Sequence, residues 1–266
     1  MSESVFRFKK FEVEQSDAAM KVGTDGVLLG AWVRLERDHQ RFLDIGTGTG
    51  LIALMLAQRI DDARRELSET VHNDSCRNPE LSVEPHPVID AVEIEPRSAR
   101  QAAQNTAKSL WHSMIRVHNA SIQNFTESAS GRYDNIVSNP PWFVDSLRPP
   151  LAARTTARHT SDLSYDELAD CVVRLLAPGG IFSVVLPYDY ESLFCSVCRA
   201  RGLVLSRRTE IFTTPDSRPK RLLLELGADT DGFRSTICDS ITISSGQHES
   251  FTEQYRSLTS PFYLKF

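Results

Sequence analysis

Short apolar runs alternate along the whole chain with longer amphipathic stretches, a pattern that predicts βαβ units and a parallel sheet. Residues 41–45, 88–93, 114–118, 133–138 and 181–186 read as strands, and the last is apolar enough for burial on both faces. Further strands are expected near 203–208, 221–226 and 240–243. Helices are expected from a glycine-rich turn after Ile45 to about Arg59, from Pro96 to about Ser109, over 166–177, near 190–201, and once more before Pro261. Pro96 suits a first helical turn, and Pro178-Gly179-Gly180 is a stop signal for the helix before it.

One stretch breaks the pattern. Residues 63–87 are polar, contain three prolines and show no usable periodicity. They lie between a helix and a strand, where connections are normally ~2–6 residues long. This predicts a surface insertion in a single domain spanning 1–266, preceded by an N-terminal extension over 1–40. No internal repeat is present.

Composition narrows the class without naming it. The 266 residues are 41% hydrophobic and 24% charged, with 13 Gly and 13 Pro, which excludes a disordered, collagen-like or coiled-coil chain. The longest near-apolar runs, 51–57 and 181–186, fall far short of the ~20 residues that a membrane helix requires. The N-terminus shows no apolar core of a signal peptide, so the expected location is cytoplasmic, with no membrane partner. Five cysteines form an odd, irregular set. Cys195 and Cys198 make an isolated CxxC without a second pair, so buried structural thiols are expected and no metal site. Seven histidines give no triad or ligand spacing.

The net charge of −5 hides an asymmetry. Residues 61–95 carry ten acids against three arginines, whereas 199–221 carry seven bases against Glu210 and Asp216. Residues 148–160 add Arg148, Arg154 and Arg158 with no acid. Such local positive patches can engage phosphates even on an acidic protein, although solvated helix faces would read the same way.

Two motifs carry the chemistry. In Leu43-Asp44-Ile45-Gly46-Thr47-Gly48-Thr49-Gly50 a strand ends in a turn whose glycines allow close backbone approach to a ligand. The spacing is GxGxG, and Asp44 precedes the first glycine. A carboxylate there would repel a pyrophosphate but welcome a cofactor without phosphate and with an amine-bearing tail, as S-adenosylmethionine has. At the end of the next strand, Glu93 is the first choice, and Glu95 the second, to accept ribose hydroxyls. The other motif is Asn139-Pro140-Pro141-Trp142, directly after the strand 133–138. The prolines remove N–H donors and stiffen the turn. That leaves the Asn139 side-chain oxygen and the Pro140 carbonyl as acceptors for a flat exocyclic amine or amide. Trp142 offers a stacking face, worth ~1–3 kcal/mol per base.

Together these motifs resemble the class I S-adenosylmethionine-dependent methyltransferases that carry an NPP motif followed by an aromatic. The segment Ala19-Met20-Lys21-Val22-Gly23-Thr24-Asp25-Gly26-Val27-Leu28-Leu29-Gly30-Ala31-Trp32, the run 54–59, the run 89–93 and the ending Phe262-Tyr263-Leu264 look very like the bacterial tRNA(Val) adenine-37 N6-methyltransferase family. The likeness covers nearly the whole chain apart from 63–87. It implies a Rossmann-like α/β fold, with a seven-stranded, mostly parallel sheet and helices on both faces. It also implies Lys21, Thr24 and Asp25 as cofactor-binding residues, beside Asp44, Gly46, Gly48, Gly50, Glu93 and Asn139. Such enzymes usually carry an acid after the third strand. Here Ser121 stands there, and its hydroxyl together with the Ile122 N–H would meet the adenine. The implied reaction is methyl transfer to an adenine amine held by Asn139 and Pro140 and stacked on Trp142, with no metal. The implied partner is a tRNA anticodon loop, with Arg148, Arg154 and Arg158 on its phosphates. A protein glutamine amide would fit the same acceptors, and a non-catalytic S-adenosylmethionine-binding module would share the fold.

Overall fold

The structure, a computed structural model, describes residues 4–16, 21–36, 38–73, 88–140, 163–229, 235–247 and 250–265, with only the backbone of 67–73. Strands β1 (Val5–Arg7) and β2 (Glu12–Glu14) and helix α1 (Thr24–Trp32) precede the repeating units. Then come β3 (Arg41–Ile45), α2 (Leu51–Asn73), β4 (Val88–Glu93), α3 (Pro96–Ala107), β5 (Ile115–Asn119), α4 (Ile122–Ser128), β6 (Tyr133–Ser138) and α5 (Tyr165–Leu175). The chain ends with β7 (Leu176–Pro187), α6 (Glu191–Arg199), β8 (Leu203–Phe212), β9 (Arg221–Ala228), β10 (Ile237–Thr242) and α7 (Glu253–Thr259).

The central sheet has the order β10-β8-β9-β7-β6-β3-β4-β5, and only β9 runs antiparallel to its neighbours. Eight strands stand where the resemblance implies seven. The strand expected near 240–243 is β10, which pairs in parallel with β8 and whose first four residues are exposed. Strands β3, β4 and β6 are buried almost throughout, which explains their continuous apolar runs. Apolar side chains of α1, α2 and α7 fill one face, and those of α4, α5 and α6 fill the other. The chain winds outward from β3 through β4 to β5, then returns to place β6 on the other side of β3. That reversal opens a crevice beyond the carboxyl ends of β3 and β6, where ligands of such sheets bind.

The structure corrects three further expectations. Helix α2 continues past Arg59 to Asn73, through the first part of the stretch read as an insertion. Its polar turns are held from outside: the Trp111 indole N–H donates to Asp61 at 3.0 Å, and Lys10 pairs with Asp62 at 2.5 Å. Residues 74–87 lie outside the described residues. Strand β7 begins at Leu176, before Pro178, because Gly179 at φ 76° and Gly180 let the chain pass tightly into the sheet. The thiols also differ from one another. Cys171 and Cys198 are buried, but Cys238 is exposed on β10. Burial pushes the Cys195 thiol up to about 11 and that of Cys198 up to about 12, which disfavours the thiolate on both. Among the described residues no helix is long and apolar enough to cross a membrane.

Helix α1 lies against α2 at backbone distance. A Cβ on Gly30 would stand 2.8 Å from Met55 Sδ and 3.1 Å from Met55 Cβ. One turn further along α2, the Arg59 guanidinium donates to the Gly30 carbonyl at 3.0 Å and the Val33 carbonyl at 2.7 Å, closing the end of α1. Overpacking this contact with Gly30→Val should therefore destabilise the protein by about 1–3 kcal/mol. Chemical denaturation is the check, and unchanged stability would mean that α1 does not rely on this close approach.

Candidate functional site

A cavity of about 910 Å³ occupies the crevice, within the size range of small-molecule sites. Its floor is the glycine turn. Gly46, Gly48 and Gly50 all adopt the left-handed conformation, at φ 71°, 57° and 85°. A Cβ at Gly46 or Gly48 would meet nothing within 4 Å, so both leave open space where a ligand can press against backbone. Gly50 instead faces α3, with a Cβ at 3.5 Å from Ala102.

Carboxylates organise this turn. Glu93 Oε2 accepts from the Gly48 N–H at 2.9 Å, and its Oε1 accepts from the Glu95 N–H at 2.9 Å. Both oxygens keep a second lone pair, and Glu93 lines the cavity, as ribose recognition requires. Glu95 has a different job. It caps α3 by accepting from the Ser98 N–H at 2.6 Å, and the backbone N–H of Arg97 first, then that of Ser98, lowers the pKa of its carboxyl. Asp44 lies behind the wall and not on it. It is completely buried; its Oδ2 accepts from the Thr47 hydroxyl at 2.6 Å and the Ala53 N–H at 3.2 Å, while Oδ1 has no partner among the described residues. Thr47 was not singled out from the sequence, yet it carries the contact between Asp44 and the cavity wall. Burial outweighs the two donors and pushes the Asp44 carboxyl up to about 7.

The remaining walls come from both ends of the chain. Ser121 caps α4 by accepting from the Asn124 N–H at 3.2 Å, which leaves its own O–H free to donate; Ile122 follows it in the wall. Ile94, 44% exposed, offers an apolar face to a flat ring. Lys21, Thr24 and Asp25 line the opposite side at the start of α1. The N-cap of α1, Gly23, contributes no side chain, so the positive end of the helix faces the cavity. Asp25 is paired with Arg221 of β9 at 2.8 Å, a partner 196 positions away that no local pattern announces. Asn139 follows β6 and lines the cavity next to α1; its side-chain Oδ1 is buried without a partner among the described residues, and Pro140 beside it is buried. Trp142, Arg148, Arg154 and Arg158 lie outside the described residues.

These residues fit S-adenosylmethionine. Glu93 suits the ribose, Ile94, Ser121 and Ile122 suit the adenine, and the α1 terminus with Lys21 suits a carboxylate. Among the described residues no three His, Cys, Asp or Glu converge as a metal site.

Known proteins are similar to this chain in sequence and fold. Residues 36–192 match the RMKL-like methyltransferase domain family. A protein of Bacteroides fragilis named tRNA1(Val) (adenine(37)-N6)-methyltransferase is 40% identical over 100% of both chains. Proteins of the same name from Phocaeicola vulgatus, 42% identical over 99% of both chains, and Trichodesmium erythraeum, 39% identical over 100% of both, are similarly close. Among solved structures, a predicted O-methyltransferase from Agrobacterium tumefaciens superposes with a TM-score of 0.63 at 16% identity, covering 90% of this chain and 96% of its own. A ribosomal protein L11 methylase from Lactobacillus delbrueckii gives 0.51 at 13% identity, covering 82% and 84%. Those two likenesses establish the class I methyltransferase fold.

The raised Asp44 pKa has a consequence for stability. Between its ordinary value of 3.8 and about 7, the native carboxyl holds a proton that the unfolded chain has released. Stability must then fall as pH rises through that interval. From pH 5 to pH 8 the ligand-free protein should lose about 2–3 kcal/mol relative to Asp44→Asn, which keeps an acceptor for Thr47 and Ala53 but cannot ionise. Thermal unfolding of both across this range is the measurement; parallel curves would show that Asp44 titrates normally.

Proposed function

The chain belongs to the tRNA1(Val) (adenine(37)-N6)-methyltransferase family, and from this membership we propose that it transfers a methyl group from S-adenosylmethionine to the N6 amine of an adenine in tRNA, at anticodon-loop position 37 of tRNA-Val. The observation that carries the reading is the Asn139 Oδ1, buried at the wall of the glycine-turn cavity without a partner among the described residues. An orphaned buried acceptor is costly unless a ligand satisfies it.

S-adenosylmethionine supplies, when bound, a methyl group activated by a sulfonium. The protein's part is binding and orientation. Glu93 accepts from the ribose hydroxyls, and the turn at Gly46 and Gly48 lets the backbone approach the cofactor closely. Asp44 acts through Thr47, keeping the turn in place. Ser121 and Ile122 meet the adenine, and Lys21 with the first turn of α1 holds the carboxylate of the tail. Thr24 lines this end, and Asp25 positions it through Arg221. Asn139 Oδ1 and the Pro140 carbonyl accept the two hydrogens of the target amine. That arrangement draws its lone pair out of conjugation with the ring and stabilises the positive charge that grows on nitrogen. Trp142 stacks on the target base, and Arg148, Arg154 and Arg158 contact phosphates. A base in an anticodon loop is already partly free of a helix, so its extrusion costs little.

Unmodified tRNA incubated with the protein and methyl-labelled cofactor should yield N6-methyladenosine on digestion; label absent from tRNA would overturn the reading. Asn139→Ala should lower turnover by roughly 100-fold or more while calorimetry shows cofactor affinity nearly unchanged. Near-normal turnover in that variant would remove Asn139 from the reaction.

A further inference from the structure

The basic stretch 199–221 looks uniform in sequence, but folding divides it sharply. Arg208 is held by Glu191 at 2.5 Å and Glu210 at 2.9 Å. Arg201 is held by Asp170 at 2.5 Å and Asp166 at 2.8 Å. Arg207 lies over the Trp32 ring at 4.3 Å and faces Asp239 at 3.3 Å, while Arg221 is bound by Asp25. These four guanidiniums are neutralised within the fold. Arg199 is exposed but ends α6, the crossover between the parallel strands β7 and β8, and so stands at the edge of the sheet away from the cavity. Only Arg218 and Lys220 remain, both exposed and with no carboxylate partner among the described residues. In a chain with 35 acids and 30 bases, cations left unpaired side by side are notable.

Their location matters as much as their charge. They sit on the turn 213–220 between β8 and β9, which lies at the same edge of the sheet as the cavity. Arg221 is opposite Pro187 at the end of β7, and the Tyr188 N–H donates to the Lys220 carbonyl at 3.1 Å. Strand β7 in turn pairs with β6, whose end delivers Asn139. The turn is also firmly built. The Ser217 N–H donates to the Thr214 carbonyl at 3.1 Å, the Thr214 N–H donates to Ser217 Oγ at 3.1 Å, and the Lys220 N–H donates to the Ile211 carbonyl at 3.0 Å. Pro215 and Pro219 fix its backbone further. Cations on such a scaffold lose little freedom when they engage a ligand. Asp216 on this turn and Asp189 on the neighbouring one are exposed carboxylates, so the surface is not a general polyanion sink.

We infer that the turn 213–220 is a docking element for the tRNA backbone, with Arg218 and Lys220 contacting phosphates next to the nucleotide whose base enters the cavity. This rests on the tRNA reading above and adds to it a surface and a direction: the RNA leaves the site across the ends of β7 and β9, away from β4 and β5. The test compares Arg218→Ala/Lys220→Ala with wild type and with Arg199→Ala, an exposed base at the opposite edge. Binding of unmodified tRNA is measured over a range of salt concentrations. Each phosphate contact contributes roughly 0.7–0.9 to the slope of log affinity against log salt. The double variant should therefore have a slope smaller by about 1.4–1.8, a KM for tRNA raised severalfold and turnover at saturating tRNA retained. Its cofactor affinity, read by calorimetry, should be unchanged. Arg199→Ala should match wild type throughout. If wild type binds and methylates tRNA but the double variant keeps its salt slope, or if Arg199→Ala lowers it equally, the docking inference fails and the functional reading stands. If wild type methylates no tRNA, both fail.

Discussion

The glycine turn depends on carboxylates placed at the ends of two neighbouring strands. Glycines at positive φ make a turn possible, but they also make it costly to order, since glycine loses the most backbone freedom on folding. Glu93 meets that cost from one side by accepting from the Gly48 N–H. Asp44 meets it from the other through the Thr47 hydroxyl and the first turn of α2. In the register of β3 and β4 Asp44 is opposite Ala91, two residues before Glu93, and the Glu93 charge adds to burial in raising the Asp44 carboxyl. The floor of the cavity is thus set by electrostatics as much as by shape.

The walls extend this logic to distant parts of the chain. Asn105 of α3 donates to the Thr49 carbonyl and the Glu14 carbonyl, both at 2.9 Å, so one amide ties the N-terminal strands to the glycine turn. Arg221 of β9 reaches Asp25 at the start of α1 and fixes the wall opposite Glu93. Gly26, in the next position, lets α1 approach Asn139: a Cβ there would stand 3.9 Å from Asn139 Nδ2 and 3.1 Å from Leu51 Cδ2. The N-terminal extension is in this sense half of the site. Its sequence is informative because it must satisfy a helix start, a close helix contact and a ligand wall within a few residues.

What was legible in the sequence follows from how local each signal is. Strands 41–45, 88–93 and 133–138 match the observed elements because burial on both faces forces unbroken apolar runs. The end of α2 was not legible, since its outer turns have no apolar period and are held by Trp111 and Lys10, some 50 positions away. Strand β10 starts before the expected stretch 240–243, because its first four residues are exposed and take their register from β8 rather than from an apolar pattern of their own. Gly46, Gly48 and Glu93, singled out by their spacing, line the cavity, but no one-dimensional pattern shows that Asp44 stands behind Thr47. The same limit applies to charge. A count over 199–221 cannot separate an arginine clamped by Glu191 and Glu210 from one exposed on a turn.

Sheet topology then divides the labour at the active edge. The winding from β3 to β5 supplies the carboxylate and helix starts that suit the cofactor, while the reversed winding through β6 and β7 supplies Asn139 and an edge that leads to the turn 213–220. A small ligand needs an enclosed wall, and β3, β4 and β5 provide it through the short connections at 94–95 and 120–121. A large polyanion needs an open, positively charged margin instead. The antiparallel β9 makes that margin possible: because it starts at the active edge, a hairpin turn comes there where a parallel strand would bring a crossover helix. One inverted strand thus lets a fold built for a small cofactor present a rigid cationic turn beside it.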